Sequence, residues 1–191
     1  MPAIYHSGCQ SKQMIGNMSK LTFRTRHNGP IKSLDREHLR REDPTDLDII
    51  DESFYFFKSN VFFANFEITC ESDRNLVYLT LFIIECLKLI SKSTNRRQAQ
   101  QDLMNLSQQK FAIPGDPKFP LNNIYTRPRN NAEADEMRSY MMQMRQECST
   151  RLIDLVWPLS NDGGNVQPSK WWTCFARRKF LNIQLNEVDI Y

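Results

Sequence analysis

Apolar residues recur along this chain mostly at three- and four-residue steps, the spacing of one helical face. The first such run is Ile50, Phe54, Phe57, Val61 and Phe62. It predicts a helix starting near Pro44-Thr45, capped by Thr45, with Asp46, Asp48 and Asp51 at the positive end of its dipole. Five phenylalanines between Phe54 and Phe63, with Tyr55, predict a heavily buried element. A second helix runs from Ser72, with Asp73 in its first turn, to about Ser91. Its stretch from Leu76 to Ile84 is apolar on all faces, the pattern of a helix packed on every side. The β-branched and aromatic residues of its first half also permit a strand.

A third, weaker helix follows a Thr94 cap to about Gln108, with Leu103 and Leu106 as anchors and Arg96, Arg97, Gln98, Gln100 and Gln101 outside. The fourth pattern is the clearest. Asn131 caps it, and Glu133, Asp135 and Glu136 occupy its first turns. Met137, Tyr140, Met141, Met144, Cys148, Leu152 and Leu155 form one stripe that ends at Trp157-Pro158. A short last helix opens after Pro168-Ser169. The reading is all-α: about five helices in a single domain over 1–191, with the central hydrophobic helix (about 72–91) surrounded by the others.

Long irregular connections join these helices. Residues 1–43 lack periodicity and are punctuated by Gly8, Gly16 and Gly29-Pro30, so they are expected to lie irregularly over the core. Three prolines between Pro114 and Pro120 exclude helix and central strand. Phe111, Ile113, Phe119, Leu121 and Ile124 are spread through that stretch, which predicts an ordered loop on the core. Asn161-Asp162-Gly163-Gly164-Asn165 reads as a turn, and 182–191 as a tail.

The chain has 191 residues, 40% hydrophobic and 25% charged, with a net charge of +3, which demands no polyanionic partner. Its charge is unevenly placed. Arg24 to Arg41 carries six bases against Asp35 and Glu37; Glu42 to Glu52 carries six acids and no base. Such blocks read as a solvated loop leading into an acidic helix start. Five scattered cysteines (Cys9, Cys70, Cys86, Cys148, Cys174) fit neither a disulfide framework nor a zinc site. No charged-then-apolar leader follows Met1, so the cytoplasm is the expected compartment and the sequons at Asn17 and Asn105 are expected to be idle. The stretch from Leu76 to Ile90 contains Glu85 and Lys88 and falls short of the roughly 20 apolar residues of a membrane span, so no membrane insertion is expected.

Chemistry is sparse. There is no phosphate-binding glycine loop, HExxH, CxxC or GxSxG. His6, His27 and His38 all fall in the irregular N-terminal region and are expected to face solvent, and the thiols to be small buried groups. No catalytic residue, metal site or cofactor is expected, and the chain reads as non-enzymatic. A thiol enzyme using Cys86, Cys148 or Cys174 is the competing catalytic reading. Glu85 reads as the end of an apolar stripe reaching water or a partner rather than a tuned acid. Met137, Met141, Met142 and Met144 read as core before they read as an adaptable groove. Arg24 to Arg41, with the basic C-terminal helix, gives the alternative function, a nucleic-acid-binding helical module; no nucleic-acid motif accompanies it, and no nucleic acid is expected as partner.

The sharpest feature is Pro168-Ser169-Lys170-Trp171-Trp172-Thr173-Cys174-Phe175, with Arg177, Arg178 and Lys179 just after it. Adjacent helical residues point about 100° apart, so one apolar stripe cannot hold both indoles. At least one ring belongs at the core's edge or against a partner. Core and interface both stand on residue chemistry alone, since Trp and Arg are enriched in interface hot spots.

That octapeptide, followed by Arg178 and Phe180, resembles the C-terminal signature of the family of subunit three of the actin-related protein 2/3 complex, its small helical subunit. Four further stretches agree in order: Met1-Pro2-Ala3-Ile4-Tyr5-His6-Ser7; Ile15-Gly16-Asn17-Met18; Asp48-Ile49-Ile50-Asp51-Glu52 leading into Tyr55-Phe56-Phe57-Lys58-Ser59-Asn60-Val61-Phe62-Phe63; and the proline loop from Ile113 to Asn122. The resemblance implies an all-helical, non-catalytic structural subunit. It would support actin filament nucleation and branching by packing against actin-related protein 3 and other subunits, and help hold the branch junction near the mother filament, in the actin cytoskeleton. The candidate interface residues are Lys170, Trp171, Trp172, Arg177 and Arg178, with Pro117, Lys118 and Phe119 of the proline loop. The segments His27–Arg41, Ser160–Gln167 and Leu181–Tyr191 depart from the family pattern.

Overall fold

A 20-residue helix, α2 (Glu71–Ile90), is the axis of the fold, and every residue from Leu76 to Leu87 is buried. The all-round apolar sequence thus forms one long helix and not a strand. The computed structural model describes residues 4–32, 47–159 and 167–185. Helices α1 (Ile49–Asn60), α3 (Arg96–Gln108), α4 (Asn131–Val156) and the single turn α5 (Lys170–Thr173) pack on α2. A small hairpin, β1 (Met14–Ile15) with β2 (Met18–Ser19), completes the described elements, its second strand against α2. Strands of two residues are too short to show an alternating pattern, and none was legible in the sequence. Gly16 turns the hairpin at φ +59°, and a Cβ there would lie 2.8 Å from the Thr126 carbonyl oxygen, so both backbone and space require glycine.

The helix starts differ from expectation by a few residues. Asp48 caps α1 by accepting from the Ile50 and Asp51 amides, so the helix begins later than Pro44-Thr45, which lie outside the described residues. Asn95, not Thr94, caps α3, and Asn130, not Asn131, caps α4. In each case the residue with an extended backbone just before the first turn takes the amides. Asp73 reaches back from the first turn of α2 to the Cys70 amide at 3.3 Å.

Helix α4 buries Met137, Tyr140, Met141, Met144, Cys148 and Leu152 as its stripe predicts, so these methionines are core; Met142 packs partly buried against it. Leu155 is exposed instead, and Ile153 and Val156 are buried. The end of α4 faces the start of α3, where Arg96 pairs with Asp154 and donates to the Trp157 carbonyl at 2.7 Å, and this neighbour turns the buried face. The proline loop is ordered on the core, with Ile113, Phe119 and Leu121 buried.

The irregular N-terminal segment is strapped down by side chains. Asp73 accepts from the Ser7 amide at 2.9 Å and faces His6 Nδ1 at 2.8 Å; Glu52 accepts from the Gly8 amide at 2.9 Å. Gln143 donates to the Ile31 and His27 carbonyls. Asn17, a sequon residue, accepts from the Thr126 amide at 2.8 Å. His6 and His27 are therefore half-buried and bonded, not solvent-facing, because each meets a polar side chain under the strap; His38 lies outside the described residues. Arg24 is likewise not a free cation of a basic loop. It pairs with Asp48 and Asp51, joining the acidic start of α1 to the segment before it.

Candidate protein-docking surface

The C-terminal segment is fastened to α1 by its aromatic residues. Ser169 donates its amide to the Val156 carbonyl at 2.7 Å, which sets α5 beside the end of α4. From there the Trp172 ring stacks on Phe57, with centroids 5.6 Å apart and planes 18° from parallel. Lys58 Nζ lies 4.7 Å from the Trp172 ring centroid. Phe175 meets Phe57 and Phe62 edge-on, and the Leu181 amide donates to the Phe63 carbonyl at 3.2 Å. Trp172 is consequently core, 7% exposed.

Trp171 is left on the outside at 80% exposure. The helical rotation between adjacent residues sends one ring in and the other out. Lys170, Arg177, Arg178 and Lys179 of the same segment are exposed too. The Arg178 guanidinium stands 5.0 Å from the ring centroid of Phe62, which is itself 57% exposed.

Helix α1 and the residues just after it correct a prediction. Of the five phenylalanines from Phe54 to Phe63, which run past the end of α1, only Phe57 is fully buried, and Tyr55 is 72% exposed. Ile50 and Phe57, seven residues apart, face inward; Tyr55 and Phe62, also seven apart, face outward. Tyr55 points away from the inward face of α1, and Phe62 follows the end of the helix, so the helical spacing that put Phe62 on the buried stripe does not reach it.

The proline-loop candidates divide the same way. Pro117 and Lys118 are exposed at the tip. Phe119 is buried edge-on against Tyr125 at 5.4 Å, so it is a core residue and not an interface residue. Gly115 holds the turn at φ +96° and donates to Asn122 Oδ1 at 2.8 Å. Among the described residues no ring contact, hydrogen bond or ion pair joins this loop to the tryptophan turn.

The buried thiols are set against nucleophilic work. Burial pushes Cys86 up to about 12 and raises Cys148 well above its ordinary value, opposite to activation. Cys174 is exposed on the tryptophan turn and so is not one of the buried thiols. Glu85 is buried and accepts from Lys88 at 2.7 Å, an ion pair within α2 in place of the water or capping partner expected for it. Among the described residues no group of three His, Cys, Asp or Glu is placed to hold a metal, and no helix is long and apolar enough to cross a membrane.

The fold is that of a small helical protein, and the indole it leaves exposed in a basic segment is of the residue class enriched at protein interfaces. Comparison with known proteins specifies the class. A family profile described as "P21-Arc: ARP2/3 complex ARPC3 (21 kDa) subunit" matches residues 1–185. "Probable actin-related protein 2/3 complex subunit 3" of Caenorhabditis elegans is 41% identical over 188 residues, covering 95% of this chain and 94% of that protein. "Actin-related protein 2/3 complex subunit 3" of Schizosaccharomyces pombe is 41% identical over 185 residues, covering 95% and 98%. Its namesake in Saccharomyces cerevisiae is 37% identical over 190 residues, covering 97% and 100%. The chain belongs to the family of subunit 3 of the actin-related protein 2/3 complex.

Proposed function

We propose that this chain is a non-catalytic structural subunit of the actin-related protein 2/3 complex, working in the cytoplasm within the actin cytoskeleton. It supports filament nucleation and branching by packing against actin-related protein 3 and its fellow subunits, and helps hold the branch junction against the actin filament. Family membership over residues 1–185 supports the assembly. The observation that carries the docking role is Trp171, an indole left 80% exposed beside a partner indole that the core takes up. A large rigid aromatic in a basic segment has the residue types enriched at interface hot spots. The docking surface is Trp171 with Lys170, Arg177 and Arg178, extended by Tyr55 and Phe62; Pro117 and Lys118 form a separate exposed tip.

The test is native purification of the tagged chain with mass measurement of what accompanies it. The expected result is an assembly containing two actin-related proteins. A chain that runs alone contradicts the proposal. One base of the nucleic-acid reading, Arg24, is tied to Asp48 and Asp51, and Arg36, Arg40 and Arg41 lie outside the described residues.

A further inference from the structure

Beside the tryptophan turn, the end of α2 and the α5 segment enclose an open cavity of about 610 Å³. Lys88, Lys92, Lys170 and Arg177 line it, and no carboxylate of the described residues does. Of the four, only Lys88 has an ion-pair partner among the described residues, Glu85, which stands outside the lining. Four cations held around one concavity repel each other, and an anion placed among them removes that cost.

The lining also says which anion fits. Its hydroxyls are already engaged: Ser91 Oγ donates to the Lys88 carbonyl and Thr173 Oγ1 to the Ser169 carbonyl. Recognition therefore falls to the cations. Apart from Ala176, Cys174 and the lysine stems, the described residues offer no apolar wall for a side-chain anchor, so an acidic peptide would find charge but little to bury. The volume falls in the range of small-molecule sites, roughly 300–1,000 Å³. A compact ligand with several phosphates offers a separate anionic group to each of the four cations.

We propose that this groove binds a small, multiply phosphorylated ligand, free or as a lipid headgroup, through Lys88, Lys92, Lys170 and Arg177. The site shares Lys170 and Arg177 with the proposed docking surface, while Lys88 and Lys92 belong to it alone.

Cys174 also lines the groove and reports on it. The experiment measures Cys174 alkylation by mass spectrometry in the assembled complex. The probes are inositol hexakisphosphate, vesicles with and without a phosphoinositide bisphosphate, a glutamate decapeptide and a DNA duplex. Inositol hexakisphosphate at about ten times its Kd is expected to slow alkylation about tenfold, the factor simple occlusion gives. The Lys88→Gln/Lys92→Gln double variant is expected to assemble normally and lose most of that protection. Protection by the free phosphate alone identifies a soluble ligand, and added protection by the phosphoinositide vesicles a headgroup; both support the site. Three results overturn it: Cys174 unreactive in the ligand-free complex, because a subunit then covers the groove; protection by the peptide or duplex equal to that of inositol hexakisphosphate; or protection unchanged in the double variant.

Discussion

Two adjacent tryptophans with opposite fates are the smallest statement of how this chain divides its work. Trp172 stacks on Phe57 inside the core, and Trp171 stands in solvent. Trp172→Ala is expected to cost about 3–5 kcal/mol, the range for emptying a buried aromatic site, and to lower the thermal midpoint accordingly. Trp171→Ala is expected to stay within about 0.5 kcal/mol of wild type in the same thermal scan. Equal losses from the two substitutions would contradict the assignment. The sequence showed that one stripe could not hold both rings, but not which ring lost its place. That depends on Phe57, more than a hundred residues earlier, and no local spacing reveals it. Arg145 was less legible still. It lies at a fully buried position of α4, its guanidinium 4.3 Å from the Phe111 ring centroid and 4.7 Å from that of Phe82, donating to Tyr78 and to the Leu106 carbonyl at the end of α3. An arginine in the sequence is read as surface; only the third dimension supplies its carbonyl and rings.

The helices themselves were legible because each carries a long apolar repeat, and α2 was placed at the centre by its lack of a polar face. Their starts were read a few residues off, since several Asn, Asp or Thr residues compete for the cap and the winner depends on tertiary contacts. Asp48 wins at α1 because Arg151 of α4, at 2.9 Å, and Arg24 hold its carboxylate in place. Arg151 also reaches Asp51 at 3.1 Å and Glu147 at 2.7 Å, so one guanidinium ties α4 to the first turn of α1. Asp48→Asn keeps a capping oxygen but loses the charge, and is expected to cost about 1.5–3 kcal/mol. Asp48→Ala loses the cap as well and is expected to cost about 1 kcal/mol more. Chemical denaturation of the two variants measures the difference; identical midpoints would remove the cap from the account.

For the whole molecule, three carboxylates join segments far apart in sequence, and all are held below their ordinary range. For Asp73 and Asp48 burial works against ionisation, but it is outweighed: at Asp73 by the Ser7 and Thr69 amides and His6, at Asp48 by Arg151 and nearby amides. Glu133, bonded by Arg129 and by the Gly16 amide, is lowered from 4.5 to about 2. A depressed carboxylate contributes its stability in full above its unfolded value and loses it as pH falls through its folded value. The thermal midpoint is therefore expected to decline from about pH 4.5 down to about pH 2, the interval Glu133 spans. These three groups contribute no change above pH 5, and a midpoint flat down to pH 2 would contradict the strap. The same closed core leaves Trp171 free for a partner, which is the central claim. The most direct measurement is the dissociation constant of wild type and Trp171→Ala for the complex stripped of this subunit. A hot-spot indole predicts a loss of at least about 2 kcal/mol, roughly thirtyfold, with the thermal midpoint unchanged. An unchanged dissociation constant would contradict the account.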